Sequence, residues 1–404
     1  MTASARDARP LAAGRRRALQ GMAGLGLTAA AGCAAPPRGD PVPRALVAQA
    51  SALGIPNERF LIPLDLPALA REYEAAQVRR RRHRAGGGPP RTAMLAVSGG
   101  GEDGAFGAGL LCGWSDHGSR PVFDLVTGVS TGALTAPFAF LGPEWDAPLR
   151  SVYTDITPAQ VLRPRGLLAA LTEDALADNE PLFRTISRYL DARMLAAIAR
   201  GYEEGRLLLV GTANLDAQMP VTWNIGAIAA SGHPGALDLV RRILLASAAV
   251  PGAFPPVMLD VTADGRAFQE MHVDGGAFTQ VFLYPRQLAA LRRASPVGAE
   301  PVVPSRAYVI RNARLDPNWA AVDRRMLTIA GRAIATMIGS GGYNDLVRIW
   351  STTRQDGVDF NLAFIGADFE GTYTEAFEQA YMRRLFAYAY DRARRGYDWA
   401  KQPP

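Results

Sequence analysis

One serine in the chain has the surroundings of a catalytic nucleophile. Ser130 lies in the sequence GVSTG, between Gly128 and Gly132. This GxSxG spacing is typical of a sharp turn between a strand and a helix that exposes the serine hydroxyl. Such a hydroxyl can attack an ester carbonyl if a base takes its proton and N–H groups stabilise the oxyanion that forms. Because GxSxG alone is a weak signal, the surrounding elements have to support it.

A glycine-rich loop could supply the N–H donors. Residues 98–104 read SGGGEDG, after a short apolar run at residues 93–97 and before a helical stretch at residues 105–114. A loop in this position directs backbone N–H groups at an anion or a developing oxyanion. The loop also matches the GxGxxG fingerprint of dinucleotide sites, which requires a second strand that ends in an acidic residue. Here Asp124 lies at the start of that strand and GVSTG follows it, so the sequence argues against a dinucleotide cofactor.

The residues alone leave the identity of the base open. An α/β-hydrolase triad follows the order serine, acid, histidine, and His272 is the last histidine in the chain. His272 could act with one of four acids, Asp216, Asp238, Asp260 or Asp264. It also lies in an apparent strand, residues 268–273, where a structural histidine is expected. Asp274 follows this strand directly and precedes two glycines, where a carboxylate can project into a cleft.

The three motifs, in this order, resemble those of the patatin-like phospholipases. The shared motifs are the glycine loop, the GxSxG turn and the Asp-Gly-Gly sequence at residues 274–276. Residues 247–257, SAAVPGAFPPV, are similar to the proline-rich segment that precedes the aspartate strand in this family. The resemblance covers about residues 92–278. It implies a three-layer α/β/α fold with a mainly parallel central sheet.

The resemblance also implies a Ser-Asp dyad in place of a triad. Ser130 would be the nucleophile, Asp274 the base, and the N–H groups of Gly100 and Gly101 the oxyanion hole. The other motif glycines would shape the loop, the turn and the aspartate motif: Gly99, Gly104, Gly128, Gly132, Gly275 and Gly276. The implied activity is hydrolysis of carboxylic esters of lipids through an acyl-enzyme, with no cofactor and no metal.

One position departs from the family pattern. The family commonly has Arg or Lys before the last glycine of the first loop, whereas this chain has Asp103, preceded by Glu102. We expect both side chains to point away from the site. One alternative is that they weaken the binding of anionic head groups and favour neutral esters, and another is that activity is lost.

The charge of the chain is unevenly distributed. The net charge is +6, but residues 1–32 contribute +4, residues 33–91 contribute +5 and residues 92–404 contribute −3. The basic residues therefore lie outside the expected catalytic region, which argues against a nucleic-acid partner. No run of 18 apolar residues is present, and the two cysteines and four histidines lack metal-ligand spacing.

The first residues have the layout of a bacterial export signal. Three arginines at residues 15–17 precede an apolar run at residues 22–31, and Ala-Ala-Gly leads into Cys33. The arginines resemble a twin-arginine signal, and the cysteine resembles the lipidation site of a bacterial lipoprotein. We therefore predict that residues 1–32 are removed and that a lipid on Cys33 anchors the protein, which faces the periplasm, to a membrane of the cell envelope.

The remaining chain is predicted to divide at residue 92. Residues 33–91 are expected to be a tether rich in Pro, Gly and Arg with a capping helix at residues 64–82. Its arginine run at residues 79–84 is expected to be solvated, or alternatively attracted to anionic lipid. Residues 92–404 are expected to form the hydrolase domain, including an extension, residues 279–404, without an assigned role. Strands are predicted at residues 206–215 and 360–365, helices at 237–248, 319–338 and 375–399, and a turn at 339–343.

Two further functions stay open from the sequence. One is a Ser-His-Asp hydrolase that uses His272, and the other is a catalytically silent envelope lipoprotein that binds lipid or a protein partner. The sequence does not identify the ester, the positional preference or the oligomeric state.

Overall fold

The computed structural model describes residues 38–83, 92–165, 174–288, 305–317, 319 and 321–404. The predicted export signal and the predicted lipid anchor on Cys33 lie outside these residues and stay predictions. The boundaries predicted between tether, hydrolase domain and extension also stay predictions.

Eleven strands lie within the described residues. Nine of them form one sheet, and two form a separate antiparallel pair. The strands are β1 (Arg59–Leu61), β2 (Ala93–Val97), β3 (Leu125–Val129), β4 (Arg163–Pro164), β5 (Ala177–Asp178), β6 (Leu207–Asn214), β7 (Met219–Asn224), β8 (Val257–Ala263), β9 (Arg266–Asp274), β10 (Arg306–Arg314) and β11 (Asp359–Ile365).

Ten α-helices are present in the same part of the chain. They are α1 (Leu66–His83), α2 (Gly104–Asp116), α3 (Thr131–Leu141), α4 (Asp146–Thr154), α5 (Glu180–Tyr189), α6 (Ala192–Glu203), α7 (Ile225–Ala230), α8 (Ala236–Ser247), α9 (Met326–Gln355) and α10 (Gln379–Ala393). Short 3₁₀ turns occur at Arg44–Gln49, Gly101–Asp103, Pro143–Trp145, Pro158–Gln160 and Gly275–Ala277. No helix in the described ranges is both long enough and apolar enough to cross a bilayer.

The central sheet is mostly parallel. Its strand order is β1-β7-β6-β3-β2-β10-β11, and the five strands from β6 to β11 pair in parallel. All residues of β3 and β6 are buried, as expected for parallel strands covered on both faces. The antiparallel hairpin β8-β9 joins through β9, which pairs with the last three residues of β6.

Helices cover both faces of the sheet. In β2, Leu95 and Val97 belong to the apolar cluster that contains α2, α3 and α10, whereas Met94 and Ala96 belong to the cluster on the other face with parts of α1 and α9. This alternation follows from the two-residue period of a strand. The three-layer α/β/α fold with a mainly parallel central sheet, expected from the family resemblance, is therefore confirmed.

Glycines allow α2 to pack closely against α10. A Cβ on Gly109 would lie 2.2 Å from the Phe386 carbonyl oxygen, and one on Gly113 would lie 2.3 Å from that of Tyr390. The late helix α10 is therefore part of the domain core, next to the helix that follows the glycine loop. It is shorter than the predicted helix at residues 375–399.

Residues 38–83, which lie in the predicted tether, pack against the rest of the domain. Strand β1 extends the sheet beyond β7 and buries Phe60 and Leu61. Arg38 forms a bidentate ion pair with Asp216. The high Pro and Gly content of the segment concealed this three-residue strand.

The arginine run near the end of α1 is only partly solvated. Arg80 is buried and lies 3.3 Å from Asp124, while Arg79 bonds to Glu72 and stacks on the ring of Tyr202. The expectation of a solvated run is therefore wrong for these two arginines. The next two, at residues 81 and 82, are exposed.

One secondary-structure prediction in the C-terminal region is wrong. The turn expected at residues 339–343 lies inside α9, whose bounds also differ from the predicted helix at residues 319–338. A Cβ on Gly342 would lie 2.5 Å from Nη2 of Arg311. At this position the glycine makes room for a neighbouring side chain and does not mark a turn.

Candidate active site

The GVSTG motif forms a tight turn between β3 and α3. Ser130 has φ 57° and ψ −129°, a conformation that a residue with a side chain rarely adopts. A Cβ on Gly128 would lie 2.5 Å from the Gly132 carbonyl oxygen, and one on Gly132 would lie 2.2 Å from the Val97 carbonyl oxygen. Both glycines therefore allow the close backbone contacts of this turn, which a Cβ at either position would block. Strain of this kind costs roughly 1–3 kcal/mol and is concentrated at functional sites.

A second serine holds this turn in place. The Ser130 amide donates to Ser247 Oγ at 3.0 Å, and Ser247 Oγ donates to the Gly211 carbonyl oxygen at 2.7 Å. The strained turn is thereby tied to the end of α8 and to β6. Sequence reasoning noted the segment that begins at Ser247 but assigned it no contact.

Strand pairing places Asp274 next to Ser130. Strand β3 ends with Val129 opposite Gly211, and the next residue of β6, Thr212, is opposite Asp274 of β9. Strand β9 therefore follows β3 along the same side of β6. These pairings bring the Ser130 side chain next to the Asp274 carboxylate, where it acts to lower the pKa of Asp274.

The environment of Asp274 changes its acidity. The carboxylate is buried, and Oδ1 accepts the Gly276 N–H at 2.7 Å. Burial raises the pKa of Asp274 to about 6, while the hydrogen bonds from Ser130 and Gly276 act in the opposite direction. A carboxylate with this pKa is a stronger base than an exposed aspartate. A Cβ on Gly275 would lie 2.5 Å from the Gly211 carbonyl oxygen, so the first glycine of the motif allows β9 to approach β6.

The glycine loop lies against the Ser130 side chain. Ser130 Oγ is 3.7 Å from the position that a Cβ on Gly99 would occupy. Gly101 has φ 56°, which favours glycine. Of the described residues, none accepts a hydrogen bond from the N–H of Gly100 or Gly101. These are the two N–H groups that the family resemblance implies for the oxyanion hole.

Close backbone contacts fix the shape of the loop. A Cβ on Gly100 would lie 2.0 Å from the Asn312 carbonyl oxygen, and one on Gly104 would lie 2.2 Å from Thr131 Oγ1. A Cβ on Gly101, in contrast, would meet no atom within 4 Å. The three glycines are therefore needed for different reasons, close packing at two positions and backbone conformation at the third.

Asn312 at the end of β10 connects the loop to two neighbouring elements. Its Nδ2 donates to the Ser98 carbonyl oxygen at 2.9 Å, and its Oδ1 accepts the Gly107 N–H at 3.0 Å. Its backbone N–H donates to Ser98 Oγ at 2.8 Å. Sequence reasoning missed this residue. The available signal was a polar residue at the end of an apolar run, which becomes informative only when β10 is known to lie beside β2.

Arg311 brings a buried positive charge to the loop. The residue is 3% exposed, and its Nη1 donates to the Gly99 carbonyl oxygen over 3.5 Å. Burial lowers the pKa of Arg311, while Asp345 and Asp103 act in the opposite direction. Arg311 was also missed from the sequence.

The acidic pair of the loop faces two tyrosines of the C-terminal region. Asp103 Oδ1 accepts a hydrogen bond from the Tyr381 hydroxyl at 2.6 Å, and Glu102 interacts with Tyr373. Burial raises the pKa of Asp103 to about 6, while the Tyr381 hydrogen bond opposes this shift. The extension without an assigned role therefore supplies partners to the loop.

His272 lies outside the serine site. It is fully buried, with Nδ1 2.9 Å from Thr212 Oγ1 and Nε2 3.0 Å from Glu270 Oε2. Burial lowers the pKa of His272, although Glu270 acts to raise it. Both ring nitrogens are occupied by partners other than Ser130, which argues against a triad.

The acids considered as partners of His272 are engaged elsewhere. Asp216 binds Arg38, Asp238 binds Arg242, and Asp260 accepts from Gln269. No hydrogen bond between His272 and Asp264 is present in the structure. Within the described ranges, no group of three or more His, Cys, Asp or Glu is arranged to hold a metal ion.

An apolar cavity opens beside the serine turn. It encloses about 630 Å³, including its open mouth, and reaches Gly101 and Thr131. Its other walls are mostly apolar side chains from α3, α5 and the segments around them, among them Leu134, Phe138, Leu182, Ile186 and Met194. This apolar lining is suited to an apolar part of a ligand.

Comparison with known proteins identifies one family. Residues 95–285 match the family model of the patatin-like phospholipases. Among solved structures, VipD from Legionella pneumophila is similar at 10% identity and a TM-score of 0.37, over 76% of this chain and 67% of that chain. A TM-score this low has no weight for function. No curated protein matches the chain.

Proposed function

Because residues 95–285 form a patatin-like phospholipase domain, which supports lipid acyl hydrolase activity in general, we propose that the chain cleaves carboxylic esters of lipids through a Ser130–Asp274 dyad. One observation carries this proposal. Ser130, on a strained turn, lies next to the buried carboxylate of Asp274, while the nearby His272 has both ring nitrogens engaged with other partners.

In the first step, Ser130 Oγ attacks the ester carbonyl carbon. Asp274 accepts the serine proton, and the N–H groups of Gly100 and Gly101 stabilise the negative charge on the carbonyl oxygen. The C–O bond of the ester then breaks, and the departing alcohol receives the proton from Asp274. This leaves the acyl group on Ser130. Loss of one oxyanion donor typically costs 10²–10³-fold in rate, so the position of the loop is as important as the base.

In the second step, water releases the acyl group. Asp274 accepts a proton from the water as its oxygen attacks the acyl carbonyl, and the same two N–H groups stabilise the second oxyanion. Collapse of this intermediate breaks the bond to Ser130, whose oxygen takes the proton back from Asp274. The raised pKa of Asp274 suits this role, because the same group must accept and return a proton near neutral pH.

The apolar cavity supports a fatty acyl chain as the substrate portion near Ser130. It adjoins Thr131, the residue after the nucleophile, and Gly101 of the loop. An acyl chain that enters from the serine would place its carbonyl between Ser130 and the loop.

We also propose that the protein is exported and anchored to a membrane of the cell envelope through a lipid on Cys33. The support is the sequence pattern of the first 33 residues. Metabolic labelling with a palmitate analogue tests it. Label on the native chain and no label on Cys33→Ser is the expected result, and equal labelling of both would contradict the assignment.

Covalent labelling with a fluorophosphonate, together with hydrolysis of a long-chain ester, tests the catalytic proposal. We expect the native chain to be labelled and to hydrolyse the ester, and Ser130→Ala to lose both properties. Labelling that persists in Ser130→Ala would refute the nucleophile. Absence of labelling and hydrolysis in the folded native chain would favour a silent binding protein.

A further inference from the structure

The first half of α9 extends away from the domain. We call residues 328–341 the α9 arm. Residues 333–340 are all exposed, although the sequence there is rich in Ile, Ala and Met. Met337 is 65% exposed and Ile334 is 49% exposed. At 1.5 Å per residue the arm is about 21 Å long. From residue 342 onward the same helix packs on the domain, where Leu346 and Ile349 are buried.

The arm is amphipathic. Ala330, Ala333, Ile334, Met337 and Ile338 follow the i, i+3, i+4, i+7, i+8 spacing that places side chains on one helix face. Thr328, Arg332, Thr336 and Gly339 lie on the opposite face, and Ser340 and the exposed Ile329 lie at the border between the two faces. The described residues therefore leave a continuous apolar stripe in contact with solvent, and the stripe is not part of the domain core.

From residue 324 to the end of the arm, every charged residue is an arginine. Arg324 and Arg325 precede it and are exposed, and Arg332 lies on its polar face. No acidic residue occurs between Asp323 and Asp345. A helix with an apolar face, arginines and no acids has the composition of helices that lie in the interface of anionic membranes.

The base of the arm adjoins the serine site. Gly342 contacts Arg311, which bonds to the Gly99 carbonyl oxygen, and Asp345 accepts the Gln280 N–H at 2.7 Å. Gly342 therefore lies near the end of β10, at the carboxyl edge of the parallel strands. The packed half of α9 runs from there along the sheet to Gln355, close to the start of β11, so the arm extends beyond the edge that carries Ser130.

We propose that the α9 arm binds the surface of an anionic lipid bilayer and holds the mouth of the serine site against it. The apolar stripe enters the boundary between head groups and acyl chains, while the arginines contact the anionic head groups. An exposed Phe278, four residues after Asp274, adds an apolar side chain near the same mouth. This binding does not depend on the catalytic dyad.

Vesicle sedimentation tests the proposal directly. The full chain with Ser130→Ala, to prevent hydrolysis, and Cys33→Ser, to prevent lipidation, is mixed with vesicles of phosphatidylcholine alone or with phosphatidylglycerol. We expect binding to the anionic vesicles, and at least tenfold weaker binding after Ile334→Gln with Met337→Gln. The matched control, Thr328→Gln with Thr336→Gln on the polar face, is expected to bind as the parent does. Melting temperatures verify that all variants are folded.

A second pair of variants tests the charge argument. Arg324→Gln with Arg325→Gln is expected to reduce binding to anionic vesicles and to weaken its salt dependence. Equal effects of the apolar-face and polar-face pairs, or equal binding to neutral and anionic vesicles, would overturn the proposal. It would also be overturned if the apolar-face pair left vesicle binding unchanged. Loss of dimerisation in this variant would then indicate that a second copy of the chain covers the arm, and increased exposure of the arm would indicate that another part of the same chain covers it.

These outcomes are separate from those of the catalytic proposal. The apolar-face pair, made with Ser130 intact, is expected to leave hydrolysis of a soluble short-chain ester unchanged. Absence of fluorophosphonate labelling in the folded native chain would refute the dyad and leave the vesicle result unaffected.

Discussion

Two buried carboxylates on β9 have opposite chemical environments. Glu270 and Asp274 lie on the same strand, four residues apart. Burial alone would raise the pKa of Glu270, but hydrogen bonds and charge from His272 and Arg59 outweigh it and lower the pKa to about 2. Asp274 has Ser130 and a backbone N–H as partners, and its pKa is raised to about 6. Burial therefore does not distinguish the proposed base from Glu270, but a neutralising cation is present beside Glu270 and no cation of the described residues bonds to Asp274.

The two clusters also differ in the hydrogen bonds that their side chains make. Trp223 Nε1 donates to Thr212 Oγ1, whose hydroxyl reaches His272, and His272 reaches Glu270. This series of hydrogen bonds ends at Arg59, which bonds to Glu270 and so links β1 to β9. At the serine site, Ser130 lies on a strained turn, and the N–H groups of Gly100 and Gly101 donate to no described residue. We assign the first cluster to stability and the second to catalysis.

The largest expected effect is that of Asp274→Asn. The amide keeps the shape of the carboxylate but cannot accept the serine proton, so ester hydrolysis should decrease by about 10³-fold or more. The melting temperature should not decrease, because no buried cation loses its partner. Steady-state kinetics and thermal unfolding measure the two quantities. Hydrolysis within tenfold of the native rate would remove Asp274 from the mechanism.

Glu270→Gln is expected to show the reverse pattern. The substitution leaves Arg59 buried without its counter-charge, and breaking a buried pair typically costs about 3–5 kcal/mol of unfolding free energy. Chemical denaturation measures this loss. The rate of hydrolysis by the folded fraction should remain within about tenfold of native. A variant that is stable and inactive would assign Glu270 to catalysis and contradict its assignment to stability.

Alanine substitutions at two loop glycines test the proposed oxyanion hole. Gly100→Ala would place a Cβ 2.0 Å from the Asn312 carbonyl oxygen and displace the loop, with a loss of about 100-fold or more in kcat/KM. Gly101→Ala has open space around the new Cβ and only the cost of its backbone conformation, about 1–2 kcal/mol. Kinetics of both variants should therefore show the larger loss at Gly100. Equal activity of Gly100→Ala and the native protein would remove this loop from the mechanism.

The smallest expected effect is on the pH dependence of stability. The raised pKa of Asp274 contributes stability below its unfolded value near 3.8, and this is lost as the pH rises through about 6. The depressed pKa of Glu270 contributes stability above its unfolded value near 4.5, and this is lost as the pH falls through about 2. Relative to the native protein, Asp274→Asn should therefore become more stable as the pH rises from about 4 to about 6, and Glu270→Gln should become less stable as the pH rises from about 2 to about 4.5. Unfolding at several pH values measures both, and shifts of the same sign would contradict the assignment.

The motif residues were accessible from the sequence because they are contiguous. Gly128 and Gly132 flank Ser130 in the sequence and contact each other in the structure, so local spacing carries the geometric information. The central elements were predictable for the same reason. Strands at residues 93–97, 206–215 and 360–365 and helices at 105–114 and 237–248 are confirmed, with ends shifted by at most two residues.

The supporting residues come from distant parts of the chain. Asn312 and Arg311 reach the glycine loop only because β10 pairs with β2, more than 200 residues earlier in the sequence. Tyr381 reaches Asp103 because α10 packs on α2. A single sequence does not encode such pairings as a local pattern. The turn predicted at residues 339–343 is wrong for the same reason, since Gly342 is explained by its contact with Arg311.

The Ser130–Asp274 dyad is tested by the rate at which a fluorophosphonate labels Ser130, measured against pH. Peptide mapping by mass spectrometry locates the label. We predict that the label lies on Ser130 and that the labelling rate rises with pH through an apparent pKa of about 6. This rise should be lost in Asp274→Asn and kept in Asp103→Asn. A rise that persists in Asp274→Asn, or label on another residue, would contradict the Ser130–Asp274 dyad.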